Sequence, residues 1–175
     1  MFNLEKITTE YNELEDRVRI SALTSENSII VLWASRRMLL MLIPPICDWL
    51  DETKSTSSQM DVESKKLMND FAQSHAKVEL KPESPVDPRN NETQKTTAHV
   101  DSWLIHEIDI KRSDQIMELY FKSAGQIIAK LVLTKLAARQ WLLILHSQWI
   151  KSEWLMNVWP EWFTKSSTPA PIGIH

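Results

Sequence analysis

Glycine is scarce in this chain. Only Gly125 and Gly173 occur in 175 residues. Loops that cradle phosphate need several glycines, because a Cβ keeps the backbone from a close approach. No dinucleotide fingerprint or Walker loop is present, which argues against nucleotide chemistry by those routes. Cysteine is scarcer still. Cys47 is alone, so an internal disulfide and a cysteine-built zinc site are both excluded within one chain. No histidine lies near Cys47 in sequence to activate it, and a buried structural thiol is the expectation. No serine sits in a nucleophile-elbow context.

Long apolar runs are also missing. The longest, Met38 to Cys47, is interrupted by Pro44 and Pro45 and is too short to span a bilayer. The start, MFNLEKITTEYNELED, lacks the basic opening and apolar run of a secretion signal. A cytoplasmic protein with no membrane partner is expected. An excess of one charge is lacking too. The formal net charge is −3, which gives no field favouring a polyanion. The five histidines, His75, His99, His106, His146 and His175, show no i, i+4 pairing. No metal, no cofactor and no catalytic residue is expected.

What is present is ordinary globular composition, 43% hydrophobic and 25% charged. Leu4 to Thr9 reads as a strand. Tyr11 to Asp16 is turn-like, with an acidic cluster of Glu13, Glu15 and Asp16. Arg17 to Leu23 alternates polar and apolar, as a half-buried strand does. Ile29 to Trp33 is rich in β-branched residues and reads as a strand buried on both faces. Ser35 is a candidate N-cap for a helix over 36–52, whose stripe includes Leu39, Leu42, Ile43, Ile46, Trp49 and Leu50. Pro44-Pro45 predicts a kink or a restart there.

A second helix is predicted near 60–76, capped by Ser58 or Asp61, with Met60, Leu67, Met68, Phe71 and His75 as its apolar face. Lys81 to Thr97 is polar and proline-rich, a loop or linker. The first pattern then returns. Trp103–Ile110, Ile116–Lys122 and Ile127–Leu133 read as strands, Thr134 as an N-cap, and Lys135 to Trp154 as a long helix.

The fold class expected is therefore α+β: two βββα units, each an antiparallel meander plus a helix, related by a pseudo-twofold duplication, with an extra linking helix. The divisions are 1–52, a linking segment 53–98, 99–155 and a tryptophan-rich tail 156–175, within one compact domain. Ser35 sits opposite Thr134, and Asp48-Trp49-Leu50 opposite Gln148-Trp149-Ile150. One meander with one helix buries too little surface to stand alone, so the two are expected to share a core.

Eight tryptophans are many for this length. Trp49 and Trp149 fit helix stripes and are expected in the core. Trp159, Trp162 and Phe163 lie beyond the helix and are candidates for a binding surface. Basic residues gather in matching places of the two halves. Arg36 and Arg37 lie in the first; Lys111, Arg112, Lys122 and Lys130 lie in the second. Basic and aromatic residues interleaved on a sheet suit single-stranded nucleic acid. The repeated meander-plus-helix order resembles that of single-stranded nucleic-acid binders of the Whirly and PUR type, in topology alone, with no motif residue shared.

The function expected is that of a non-enzymatic protein-binding or assembly module. It would present a sheet face, an edge strand or the tryptophan tail to a protein partner or to a second copy as a homodimer. Single-stranded nucleic-acid binding is the second expectation, and an enzyme without a local motif the third.

Overall fold

The computed structural model describes residues 1–51, 53, 61–80 and 100–167. Seven strands form one sheet: β1 (Phe2–Asn12), β2 (Arg17–Thr24), β3 (Ile29–Ser35), β4 (Asp101–Leu104), β5 (Glu107–Arg112), β6 (Ile116–Ser123) and β7 (Gln126–Thr134). Their order across the sheet is β4-β3-β2-β1-β7-β6-β5. The helices are α1 (Arg36–Leu50), α2 (Val62–Glu79), α3 (Lys135–Lys151) and the short α4 (Glu161–Ser167). Ser58, Met60, the 81–97 linker, His99 and the last eight residues lie outside the described residues.

The two outermost strands are neighbours in the chain. Only Ile105 and His106 separate β4 from β5. Three Cα steps reach at most about 11 Å, whereas the edges of a flat seven-stranded sheet stand about 29 Å apart. The sheet must therefore curl until its edges meet. The hydrogen bonds show where. The Ile105 N–H donates to the Trp33 carbonyl on β3, and the next N–H, of His106, donates to the Lys122 carbonyl on β6. Successive N–H groups of an extended chain point to opposite sides, so β4 and β5 act as one bent strand joining both edges. Phe2 of β1 and Trp103 of β4 confirm the closure, with ring centroids 5.6 Å apart although two strands separate them in the sheet order.

The result is a six-walled barrel. The two meanders meet at two parallel seams, β3 against β4 and β7 against β1. Each seam joins the last strand of one meander to the first strand of the other. The interior is packed by alternate residues: Val18, Ile20 and Ala22; Ile30, Leu32 and Ala34; Met117, Leu119 and Phe121; Ala129, Leu131 and Leu133. A barrel this narrow is filled by side chains. Trimming one such leucine or isoleucine to alanine costs about 2–5 kcal/mol.

The β7–β1 seam is short, pairing only Phe2–Leu4 with Ala129–Leu131. Beyond it α3 lies along β1. Trp141 Nε1 donates to Thr9 Oγ1 at 3.0 Å, and Gln148 Oε1 accepts the Tyr11 N–H at 3.1 Å. β3 and β7 run in the same direction, so α1 and α3 leave from the same end of the barrel. Both caps are as expected, Ser35 Oγ accepting from Met38 N–H and Thr134 Oγ1 from Ala137 N–H. The helices then reach across to the opposite half. Trp49 Nε1 donates to the Ser113 carbonyl at the β5–β6 turn, and Trp154 Nε1 to Asp16 Oδ1 at the β1–β2 turn.

Three details differ from expectation. α1 does not restart at Pro44-Pro45; it is one helix across them. Pro44 is exposed and Pro45 half-buried, while Leu42, Ile43, Ile46, Cys47 and Leu50 are buried. Burial of that stripe holds the helix through two missing N–H donors. α3 stops at Lys151; Glu153 takes a left-handed φ of 55°, which turns the chain so that Trp154 packs back on Tyr11 and Trp149. Trp149 is core, but Trp49 is only half-buried.

Candidate functional site

Helix α2 is where the structure departs furthest from a buried amphipathic helix. It begins well: Asp61 accepts from Ser64 N–H at 2.7 Å, and that bond holds its carboxyl below the ordinary carboxylate value. Its buried residues, however, are Asn69, Gln73 and Ala76. Its apolar residues point outward. Leu67 is 67% exposed, Phe71 74% and Val78 81%. Spacings of four, four and three place Leu67, Phe71, His75 and Val78 along one side of the helix, with Phe71 and His75 stacked at 6.4 Å. Met68 widens the stripe. The predicted apolar face thus exists, but it faces solvent and not the core.

The reason lies in Arg139 on α3, which is 2% exposed. Its guanidinium donates to the Leu50 carbonyl at 2.8 Å, to Asn69 Oδ1 at 2.7 Å and to Gln73 Oε1 at 3.1 Å. It also lies 5.3 Å from the centre of the Trp162 ring. A buried arginine needs acceptors for its fork of N–H groups. α2 supplies two of them, so its amide side turns inward. The Leu50 carbonyl belongs to the last turn of α1, whose free carbonyls carry partial negative charge. Asn69 Nδ2 donates onward to Asp51 Oδ1 at 3.2 Å. α2 is therefore docked by a polar clasp that leaves its apolar stripe outside. Beside the clasp a cleft of about 490 Å3 is lined by Asp51, Asn69, Asp70, Glu161 and Trp162 among others. Among the described residues no group of His, Cys, Asp or Glu could hold a metal.

The sequence-predicted binding residues do not converge. Trp159 is 6% exposed and Phe163 fully buried. They stack at 4.9 Å and pack on His146 and Trp149. Trp159 and Phe163 are consequently core, and Trp162 keeps a partly accessible ring, over Arg139. Aromatic rings this large gain more by filling the helix interface than by standing in water. Arg36 is half-buried, 5.9 Å from the Trp154 ring, and Arg37 is exposed; both lie at the helix end of the barrel.

Lys111, Lys122 and Lys130 lie on the outer wall of the second half, and Arg112 is exposed at the end of β5. That wall is a mosaic of both signs. Lys122 pairs with Asp109 at 2.6 Å and Glu107 at 3.0 Å, and Lys130 with Glu118 at 2.6 Å. Lys111 and Lys130 flank the Tyr120 ring at 5.0 and 5.5 Å. The acidic turn helps to hold the fold together. Asp16 Oδ1 accepts from both Tyr11 Oη and Trp154 Nε1, and the bond from Tyr11 raises that phenol's pKa. Cys47 is buried, as expected.

Among the described residues β4 and β5 end the sheet order, and each is paired along one side, β4 with β3 and β5 with β6. No helix among them is long and apolar enough to cross a membrane. The chain matches no family model, no curated protein and no solved structure. The stripe on α2 was legible as a stripe; its direction was not. The one signal was Arg139 beside Ala138 and Leu142 on the apolar side of α3, a buried cation in need of acceptors.

Proposed function

We propose that this chain is a non-enzymatic protein-binding or assembly module whose binding element is the outer face of α2. One observation carries the reading: Leu67, Met68, Phe71 and Val78 form a continuous apolar stripe in solvent, on a helix held in place by polar bonds. Exposed apolar patches of this kind mark interaction sites, and an apolar helix side packs into a groove or onto another helix. The barrel and its two capping helices serve as the scaffold. The same reading takes the two βββα halves as copies of one unit, supported by the matching caps Ser35 and Thr134 and by the crossed reach of Trp49 and Trp154.

The test is a photo-reactive residue at position 71, with the same residue at position 132 on the outer wall as control. Irradiation in cells should give a defined adduct from position 71 alone. Absence of any adduct there, or equal labelling from both positions, would refute the assignment.

A second reading has one observation in its favour. Tyr120 between Lys111 and Lys130 is a stacking ring flanked by cations, suited to a single-stranded nucleic acid. Glu107, Asp109 and Glu118 on the same wall weigh against it. Anisotropy of labelled oligonucleotides at low salt decides the matter, since such binding should weaken steeply as salt rises.

A further inference from the structure

The stripe on α2 is self-complementary in shape and in charge. Leu67 and His75 stand four residues to either side of Phe71, so a twofold axis at Phe71 sets each opposite the other. The flanks obey the same symmetry. At 100° per residue, Glu63 and Lys77 fall on one flank of the stripe, Lys65 and Glu79 on the other. An antiparallel second helix centred on Phe71 brings Glu63 to within two residues of the second copy's Lys77, and Lys65 to within two residues of the second copy's Glu79, about 3 Å along the axis; Asp70, midway between Glu63 and Lys77 on the first flank, comes beside its own counterpart. Opposed helix dipoles favour the same direction.

The chain itself brings little to cover the stripe. Outside the described residues the large apolar side chains are Met60 in 54–60, Val86 in 81–99, and Ile172 and Ile174 in 168–175.

From this we infer that the occupant of the α2 face is a second copy of this chain, the two helices packing antiparallel about Phe71. The inference rests on the reading of α2 as the binding element. Its strength follows from size. An 18-residue helix is about 27 Å long and about 10 Å wide, a footprint of roughly 270 Å2 against about 800 Å2 per partner in a standard interface. The dimer is accordingly weak and reversible, and its population depends on concentration.

Sedimentation equilibrium of the full chain should show a monomer–dimer equilibrium. Phe71→Asp alters a residue in solvent, so it should leave the melting temperature unchanged and abolish the dimer. The pair Glu63→Lys with Glu79→Lys makes the four matched charges positive; the pair Lys65→Glu with Lys77→Glu makes the four negative. Each doubly substituted chain should be monomeric where the unaltered chain dimerises, and an equimolar mixture should dimerise again. Leu67→Cys chains should form a disulfide with His75→Cys chains and not with one another. A strict monomer at every concentration, a dimer indifferent to Phe71→Asp, or a mixture that stays monomeric overturns the proposal. A strict monomer that still gives the position-71 adduct, at the mass of a different protein, overturns the second copy and leaves the binding element standing. Loss of the adduct as well removes both.

Discussion

Arg139→Ala isolates the clasp that orients α2. The substitution removes three donated hydrogen bonds, to the Leu50 carbonyl, Asn69 and Gln73, and the cation facing Trp162. Hydrogen bonds from a charged donor contribute about 1.5–3 kcal/mol each, offset by the cost of keeping the guanidinium out of water. Breaking one side of a buried charged network costs about 3–5 kcal/mol net.

The loss falls on α2 in particular. Its only buried apolar residue is Ala76, and an isolated helix of its length is barely stable in water. A cost of about 3–5 kcal/mol is between two and four factors of ten in an opening equilibrium. Hydrogen exchange should therefore show α2 amides losing protection by a factor of a hundred or more. Amides of β2, β6 and β7 should keep theirs, because the clasp's bonds to Leu50, Asn69 and Gln73 join α3 to α1 and α2. Uniform loss across barrel and helix would refute the idea that α2 is held separately. So would α2 protection equal to that of the unaltered chain, since the stripe orientation would then have another cause.

Other outcomes follow from single contacts. Trp49→Phe and Trp154→Phe each delete one indole hydrogen bond, from α1 to the Ser113 carbonyl and from the segment after α3 to Asp16, and each should cost about 1 kcal/mol in urea unfolding, with effects that add because the two bonds share no partner. Gly125→Ala places a Cβ at φ 77° with nothing within 4 Å; the cost should be backbone strain alone, about 1 kcal/mol, and a much larger loss would point to a missing contact.

Burial lowers the pKa of His146 below the ordinary 6.5. Its contribution should be complete above pH 6.5 and decline as pH falls from there towards the lowered folded-state value, because the unfolded chain binds the proton first. His146→Phe should flatten that part of a stability–pH curve. Lys130, and next Tyr120, hold Glu118 below the ordinary value of 4.5. That pair should stabilise the fold above this value and be lost as pH falls through the lowered one. Glu118→Gln should remove this acid-side slope.

Much of the architecture can be read from residue patterns. Both meanders, both hydroxyl caps and the helices follow from alternation, from three- and four-residue spacing and from Ser35 and Thr134, all local signals. Barrel closure is not local. It depends on Ile105 and His106 sending neighbouring N–H groups to β3 and β6, and nothing in the run Trp103 to Ile110 distinguishes a bent shared strand from a straight one. The site suffered from the same limit. An apolar stripe on α2 carries no sign of which way it faces, and a buried partner for Asn69 and Gln73 seventy and sixty-six residues away decides it. The tail misled for a related reason: the turn at Glu153 folds Trp154, Trp159 and Phe163 back onto α3, and a sequence pattern does not show a reversal made by one left-handed residue.

The shared strand also sets the order in which this chain can become a protein. When β1, β2 and β3 have left the ribosome, β1 and β3 are both edges with unpaired N–H and C=O groups, and their partners lie 127 and 71 residues further along the chain. β3 waits for β4, and β1 waits for β7. Contacts so distant in sequence form slowly, and exposed strand edges invite pairing with another chain while they wait. A half-length chain is therefore an aggregation-prone species that awaits its other half. Splitting the gene between α1 and α2 should give two insoluble fragments when they are made apart and a closed barrel when they are made together.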